Sequence, residues 1–175
     1  LADSEVSWPS AQDYNEAIQN PKICFSDQEL SESEVELNNL GIPKARTGAF
    51  ASVYKLCVAD RQIAVRCFLN TVKDQKLRYE ILTKHLEQNK CSLLAQFEYI
   101  ESGIKIGKKQ FPILKMDWIE GPTLNTYIND EINEPDSILE LRKQFRAMVH
   151  ELRQCKIAHG DLQHGNIIVR EKKLY

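Results

Sequence analysis

Hydrophobic and polar positions along the 175-residue chain change period several times, and each change marks an element. From about Ser137 to Gln154 the apolar residues stand at 138, 141, 145, 148, 149 and 152. Their alternating steps of three and four predict one helix with a continuous apolar stripe. Upstream, "GAFASVYKLCV" (48–58) and "RQIAVRCFL" (61–69) are rich in Val, Ile, Phe and Tyr and meet at a polar turn over 59–61, the pattern of two paired strands. "AQFEYIESGIKI" (95–106) and "QFPILKMDWI" (110–119) repeat that pattern around a turn at 107–109. Between the two pairs, "DQKLRYEILTKHLEQN" (74–89) places apolar residues at 77, 81, 82 and 86, close to helical spacing. "TLNTYINDEI" (123–132) reads as a short helix that Thr123 caps. After the long helix come a strand over 167–170, a turn over 171–173 and the first two residues of another strand. The order predicts an α+β fold: a small antiparallel-sheet lobe with one helix, over 45–119, then the opening of a helical lobe over 120–175.

Residues 1–44 read as a leader outside that core. "SWPSAQDYNEAIQNP" offers Ser10 as an N-cap and two helical turns before Pro21, and the acidic "SDQELSESEVEL" reads as a linker, a partner-binding arm or a solvated helix. Charge sharpens the division. Residues 1–40 hold nine acidic and one basic side chain, a net of −8; the remainder holds 16 acidic and 22 basic, a net of +6, and the two sum to −2. A modestly basic body suits an anionic ligand such as a nucleotide. Its Lys and Arg residues are dispersed and not interleaved with aromatics, so nucleic acid is not an expected partner. No apolar run reaches the roughly 18–20 residues of a membrane span. The cysteines Cys24, Cys57, Cys67, Cys91 and Cys155 are odd in number and form no C-x-x-C pair, which points away from a zinc site or disulfide framework and toward a reducing cytoplasm.

The densest chemistry lies in "IAHGDLQHGNIIV" (157–169), where His159, Asp161, Gln163, His164 and Asn166 are enclosed between two apolar runs. Asp161 and Asn166 stand at the spacing H-x-D-x-x-x-x-N. "RTGAFASV" (46–53) lies over a G-x-G-x-x-G-x-V pattern with Arg46, Gly48 and Ala51 at the three glycine positions and Val53 at the valine. "IAVR" (63–66) matches V-A-I-K with Arg66 at the lysine, and "PILKMDWIEGPTL" (112–124) follows in the right order. Together these motifs resemble the protein-kinase-like superfamily from about residue 44 onward. The resemblance is closest to bacterial kinase-like proteins with an HGDLQHGN loop.

The resemblance implies ATP and Mg2+ as ligands, and a role for each matched residue. Asp161 would take the proton of an acceptor hydroxyl and Asn166 would offer its amide oxygen to the metal. His159 would anchor the loop by hydrogen bonds. Gly48 and Val53 would cover the phosphates, Ala64 would lie against adenine, and Arg66 would clamp the phosphates. Glu80 would brace Arg66 as its carboxylate partner, with Glu87 as second choice; a merely structural Arg66–Glu80 ion pair is the plainer alternative. Met116 would bound the back of the adenine pocket, and Asp117, Trp118 and Ile119 would form a hinge whose backbone meets the adenine edge. Gly160 stands where many protein kinases carry an arginine, which implies no phosphorylation switch of that kind. Gln163 replaces a lysine usually set against the transferring phosphate.

Three functions follow from this pattern. A protein serine/threonine kinase is one, with a protein phosphoacceptor as partner. A pseudokinase that binds a regulatory partner is another, favoured by Arg66, the missing glycines and Gln163. A small-molecule phosphotransferase of the aminoglycoside or choline type is the third, since "HGD" is common there. The family's second metal-binding Asp would fall just past Tyr175, so phosphotransfer by this chain in isolation is expected to be negligible. The apolar stripe over 138–152 is likewise expected to lack its covering helices.

Overall fold

The computed structural model describes residues 7–71, 73–89 and 94–175; Cys91 and the first six residues of the leader lie outside them. The chain is α+β and divides into two compact units, one made of the described residues through Glu80 with Gln96–Trp118, the other of Ile81–Ala95 with Ile119–Tyr175. No helix among the described residues is long and apolar enough to cross a membrane.

The first unit is an antiparallel sheet. β1 (Glu34–Val35) and β2 (Ala45–Thr47) both pair with β3 (Ala51–Val58), which pairs with β4 (Arg61–Phe68); β6 (Lys109–Asp117) lies next, and β5 (Phe97–Ile106) forms the far edge. Side chains alternate between the two faces along each strand, and the central β4 is buried on both. One face carries Tyr54, Leu56, Ile63, Val65, Cys67, Phe111 and Ile113, all at 5% exposure or less.

That face is covered by the segment read as a leader. α1 (Ala11–Ile18) opens with a full capping box, Ser10 and Asp13 satisfying each other's backbone N–H, and α2 (Pro21–Cys24) and α3 (Gln28–Ser31) follow. Tyr14, Ile18, Cys24, Phe25 and Leu30 are buried in the same cluster as the sheet residues. Residues 10–35 are therefore part of the core and not a separate leader. Burying five apolar side chains outweighs the solvation of the acidic residues between them. The acids find partners instead. Lys115, mostly buried on the sheet, is held by both oxygens of Asp27 at 3.0 Å and by Glu29 at 2.8 Å. Arg61 bridges Glu29 at 2.9 Å and Asp117 at 2.8 Å.

α4 (Gln75–Asn89) is the helix expected over 74–89, but another of its faces is covered. Gln75, Tyr79, Leu82, Thr83, His85 and Leu86 are the shielded positions, spaced as one helical face, whereas Leu77 is 54% and Ile81 58% exposed.

In the second unit, α5 (Leu124–Asp130) and α6 (Pro135–Gln154) precede a hairpin of β7 (Val169–Arg170) and β8 (Lys173–Leu174), whose turn residues Glu171 and Lys172 both have positive φ. The apolar stripe of α6, expected to lie open, is covered in half: Ile138, Phe145 and Val149 stay partly exposed. Leu141, Met148 and Leu152 are buried against Leu124, Ile167, Val169 and Leu174. α5 and the hairpin with its preceding Ile167 supply the cover that the sequence alone did not reveal.

Candidate functional site

The loop that follows α6 is built by its neighbours in the chain. Lys156 takes a left-handed conformation (φ 54°) and Ile157 N–H returns to Leu152 O at 2.9 Å, which ends the helix sharply. Gly160 has φ 77°, a region that disfavours any side chain, so an arginine there would be strained. After the loop, a short 3₁₀ turn over His164–Asn166 leads into the buried Ile167.

Within that frame Asp161 and Asn166 are brought together. The Asn166 amide nitrogen donates to the Asp161 backbone carbonyl at 2.9 Å and to its Oδ2 at 2.8 Å. Both partners are acceptors only, which fixes the amide's orientation and leaves its Oδ1 pointing elsewhere. Asp161 N–H reaches His159 Nδ1 at 3.4 Å, a long contact within the loop. Gln163 reaches Asp161 Oδ2 at 3.5 Å, a long contact. Asp161 and Asn166 are exposed, and the carboxylate keeps Oδ1 outside this network.

The segment "EGPTL" positions the end of the loop. Leu124 N–H bonds to Ile167 O at 2.8 Å, Val169 N–H bonds to Pro122 O at 2.9 Å, and Thr123 bridges Ile168. Gly121 has φ 151°, and a Cβ there would collide with the Val169 carbonyl oxygen; no other residue fits.

In the first unit, strand register gathers the remaining candidates. Val53 pairs with Arg66 and Ala64 with Met116, so all four stand on the sheet face opposite the covered one. Trp118 lies with this group: the Arg46 guanidinium carbon is 4.2 Å and Lys55 Nζ 5.1 Å from its ring centroid. The Asp117 and Trp118 N–H groups are already engaged, by Gln96 O at 3.0 Å and Gln62 O at 3.2 Å. Of the three residues expected to face adenine, Ile119 is the one whose N–H those bonds do not use. Gly48 closes the β2–β3 turn by bonding to Ala51 O at 2.9 Å, and a Cβ there would meet only that oxygen, at an ordinary 3.9 Å, so nothing in the turn itself requires glycine.

One expected pair does not form. Among the described residues Arg66 makes no ion pair with Glu80 or Glu87, and its buried Nε has no hydrogen-bond partner. Glu80 lies on the exposed side of α4. What sequence reasoning missed is Tyr79, the adjacent residue, which is half-buried and packs on Tyr99, Phe97 and Phe68. The signal was present in the i, i+4, i+7 spacing of 75, 79, 82 and 86.

Among the described residues no group of three or more His, Cys, Asp or Glu side chains is arranged to hold a metal ion. A magnesium ion asks for less. It keeps waters and takes one or two protein oxygens beside substrate phosphates, which the outward Asn166 Oδ1 fits. No protein-family model and no curated protein matches the chain.

Proposed function

We propose that the chain is a kinase-like domain serving ATP-dependent phosphoryl transfer to a protein serine or threonine hydroxyl. The observation that carries this reading is the Asp161–Asn166 pair. The Asn166 NH2 group is spent on Asp161, so one side chain locks the carboxylate and turns an amide oxygen outward at the same time. A loop built only for stability has no need to hold a solvent-facing carboxylate beside an uncommitted amide oxygen. Magnesium bound there would neutralise phosphate charge. Asp161 would receive the acceptor hydroxyl's proton on Oδ1, its other oxygen being held by Asn166. Arg66 keeps a permanent charge on the sheet face that also carries Val53, Ala64 and Met116, the surface proposed for the base and phosphates.

A pseudokinase is the second reading, and the unpaired Arg66–Glu80 couple favours it, because a catalytic clamp is ordinarily braced by a carboxylate. Thermal denaturation separates the two. A ligand that binds only the folded state at a hundredfold excess over its dissociation constant stabilises by about 2.7 kcal/mol. The kinase-like reading expects ATP and Mg2+ together to raise the midpoint by more than the sum of each alone. A shift indifferent to Mg2+, or no shift with any combination, removes the kinase reading and favours the pseudokinase, which needs only its regulatory partner.

A further inference from the structure

Four aromatic rings line the sheet face that carries Arg66. Phe68 lies two residues further along β4 on the same side, Tyr99 pairs with Leu114 beside Arg66, and Phe97 pairs with Met116. Tyr79 of α4 joins them. Its ring stacks on Tyr99 at 5.2 Å and 16°, meets Phe97 edge-on at 5.7 Å and lies 6.3 Å from Phe68. The Arg66 guanidinium carbon is 5.8 Å from the Phe68 ring centroid, within reach of a cation–π attraction. Burial raises the pKa of the Tyr79 phenol, and the Arg66 charge works in the opposite sense, so guanidinium and phenol are electrostatic neighbours. Phe68 is itself tied down: its backbone carbonyl accepts the buried Tyr14 hydroxyl at 2.7 Å, linking α1 to the end of β4.

Glu80 is placed otherwise. It is exposed and does not pair with Arg66; the nearby Lys76, one turn back on the same helix, is held by Glu101 at 2.6 Å, with the Glu80 charge only a minor addition. A carboxylate brace would consume N–H donors and neutralise part of the charge. Aromatic faces hold a planar guanidinium while leaving its edge donors unused, a service an ammonium group could not exploit in the same way. One such donor, Arg66 Nε–H, is buried without an acceptor, which is unfavourable until an acceptor arrives.

We propose that Phe68 and Tyr79, rather than Glu80, position the Arg66 guanidinium, and that its unpartnered Nε–H is held for a phosphate oxygen of the nucleotide. The second half rests on the kinase-like reading above; the first half does not. The test is nuclear magnetic resonance on the 15N-labelled protein, with the Arg66 Nε–H signal assigned by its loss in Arg66→Lys. Glu80→Gln is expected to leave that signal in place and Tyr79→Phe to retain it. Tyr79→Leu and Phe68→Leu are expected to move it, by loss of ring-current shielding and of slow exchange. If one leucine variant fails to fold, the other carries the same reading. A signal that moves in Glu80→Gln but not in the leucine variants overturns the positioning. Titration with inorganic tripolyphosphate addresses the second half: binding should shift Nε–H, and Tyr79→Leu should weaken binding about fivefold. Tripolyphosphate that binds without disturbing Nε–H overturns the donor's assignment. No binding, with the variant pattern as expected, removes the nucleotide reading and leaves the positioning intact.

Discussion

Ile18→Ala tests whether the N-terminal segment belongs to the core. Ile18 is fully buried among Tyr14, Leu30 and the sheet residues, so truncation removes its transfer free energy and leaves a cavity the strands cannot close. Such substitutions cost about 2–5 kcal/mol. With a urea dependence of about 1–3 kcal/mol per molar, the midpoint should fall by about 1–2 M. Tryptophan fluorescence is the suitable probe, because Trp8 and Trp118 are the chain's two tryptophans and both lie in the first unit. Trp8 packs on Phe111 at 5.8 Å, directly on the packed face of the sheet. Ile23→Ala is the control: Ile23 is 72% exposed on α2, and its loss should cost about 0.5 kcal/mol or less. Equal, small shifts for the two variants would refute the packing argument and restore the segment to a leader.

Other consequences can be checked separately. The Lys115 hydrogen bond holds the Glu29 pKa below its ordinary value, so Glu29 contributes stability above the usual carboxylate range that is lost as pH falls through its folded pKa; Glu29→Gln should flatten the acid limb of a stability–pH curve. Burial opposes the Lys115 charge, but its bonds to Glu29 and Asp27 prevail and raise its pKa, so that contribution fades only as pH rises past the ordinary lysine value. Gly121→Ala, blocked by both a positive φ and the Val169 carbonyl, should lower the melting temperature by at least several degrees and loosen the Asn166 loop in hydrogen exchange. Thiol labelling of the native protein should reach Cys57 well before Cys24 and Cys67. Burial pushes the Cys24 thiol up to about 12 and that of Cys67 well above its usual value.

Much of the fold was legible because it rests on local periodicity. The 51–58 and 61–68 strands, the second strand pair, α6 and the hairpin at 169–174 all fall where the pattern places them, within a few residues. The N-terminal packing was not legible. Its five core residues are spread over three short helices among acidic neighbours, and the partner that makes the acids tolerable, Lys115, is 88 residues from Asp27. The orientation of α4 was misread because Leu77 and Ile81 look like core positions, yet the face chosen by packing runs through Gln75 and Tyr79. Tertiary context decided between two plausible stripes. Of the candidate site, motif spacing foretold that Asp161 and Asn166 could meet, and strand register brings Val53, Ala64, Arg66 and Met116 to one face. Spacing could not say whether Arg66 would choose a carboxylate or a ring.

The most direct measurement is calorimetric titration of ATP into the protein with and without Mg2+, on the wild type and on Asn166→Ala. If the outward amide oxygen of Asn166 serves a metal, Mg2+ should tighten ATP binding at least about tenfold in the wild type, the equivalent of about 1.4 kcal/mol, and do little in the variant. Equal magnesium dependence in both proteins, or none in either, would contradict the account.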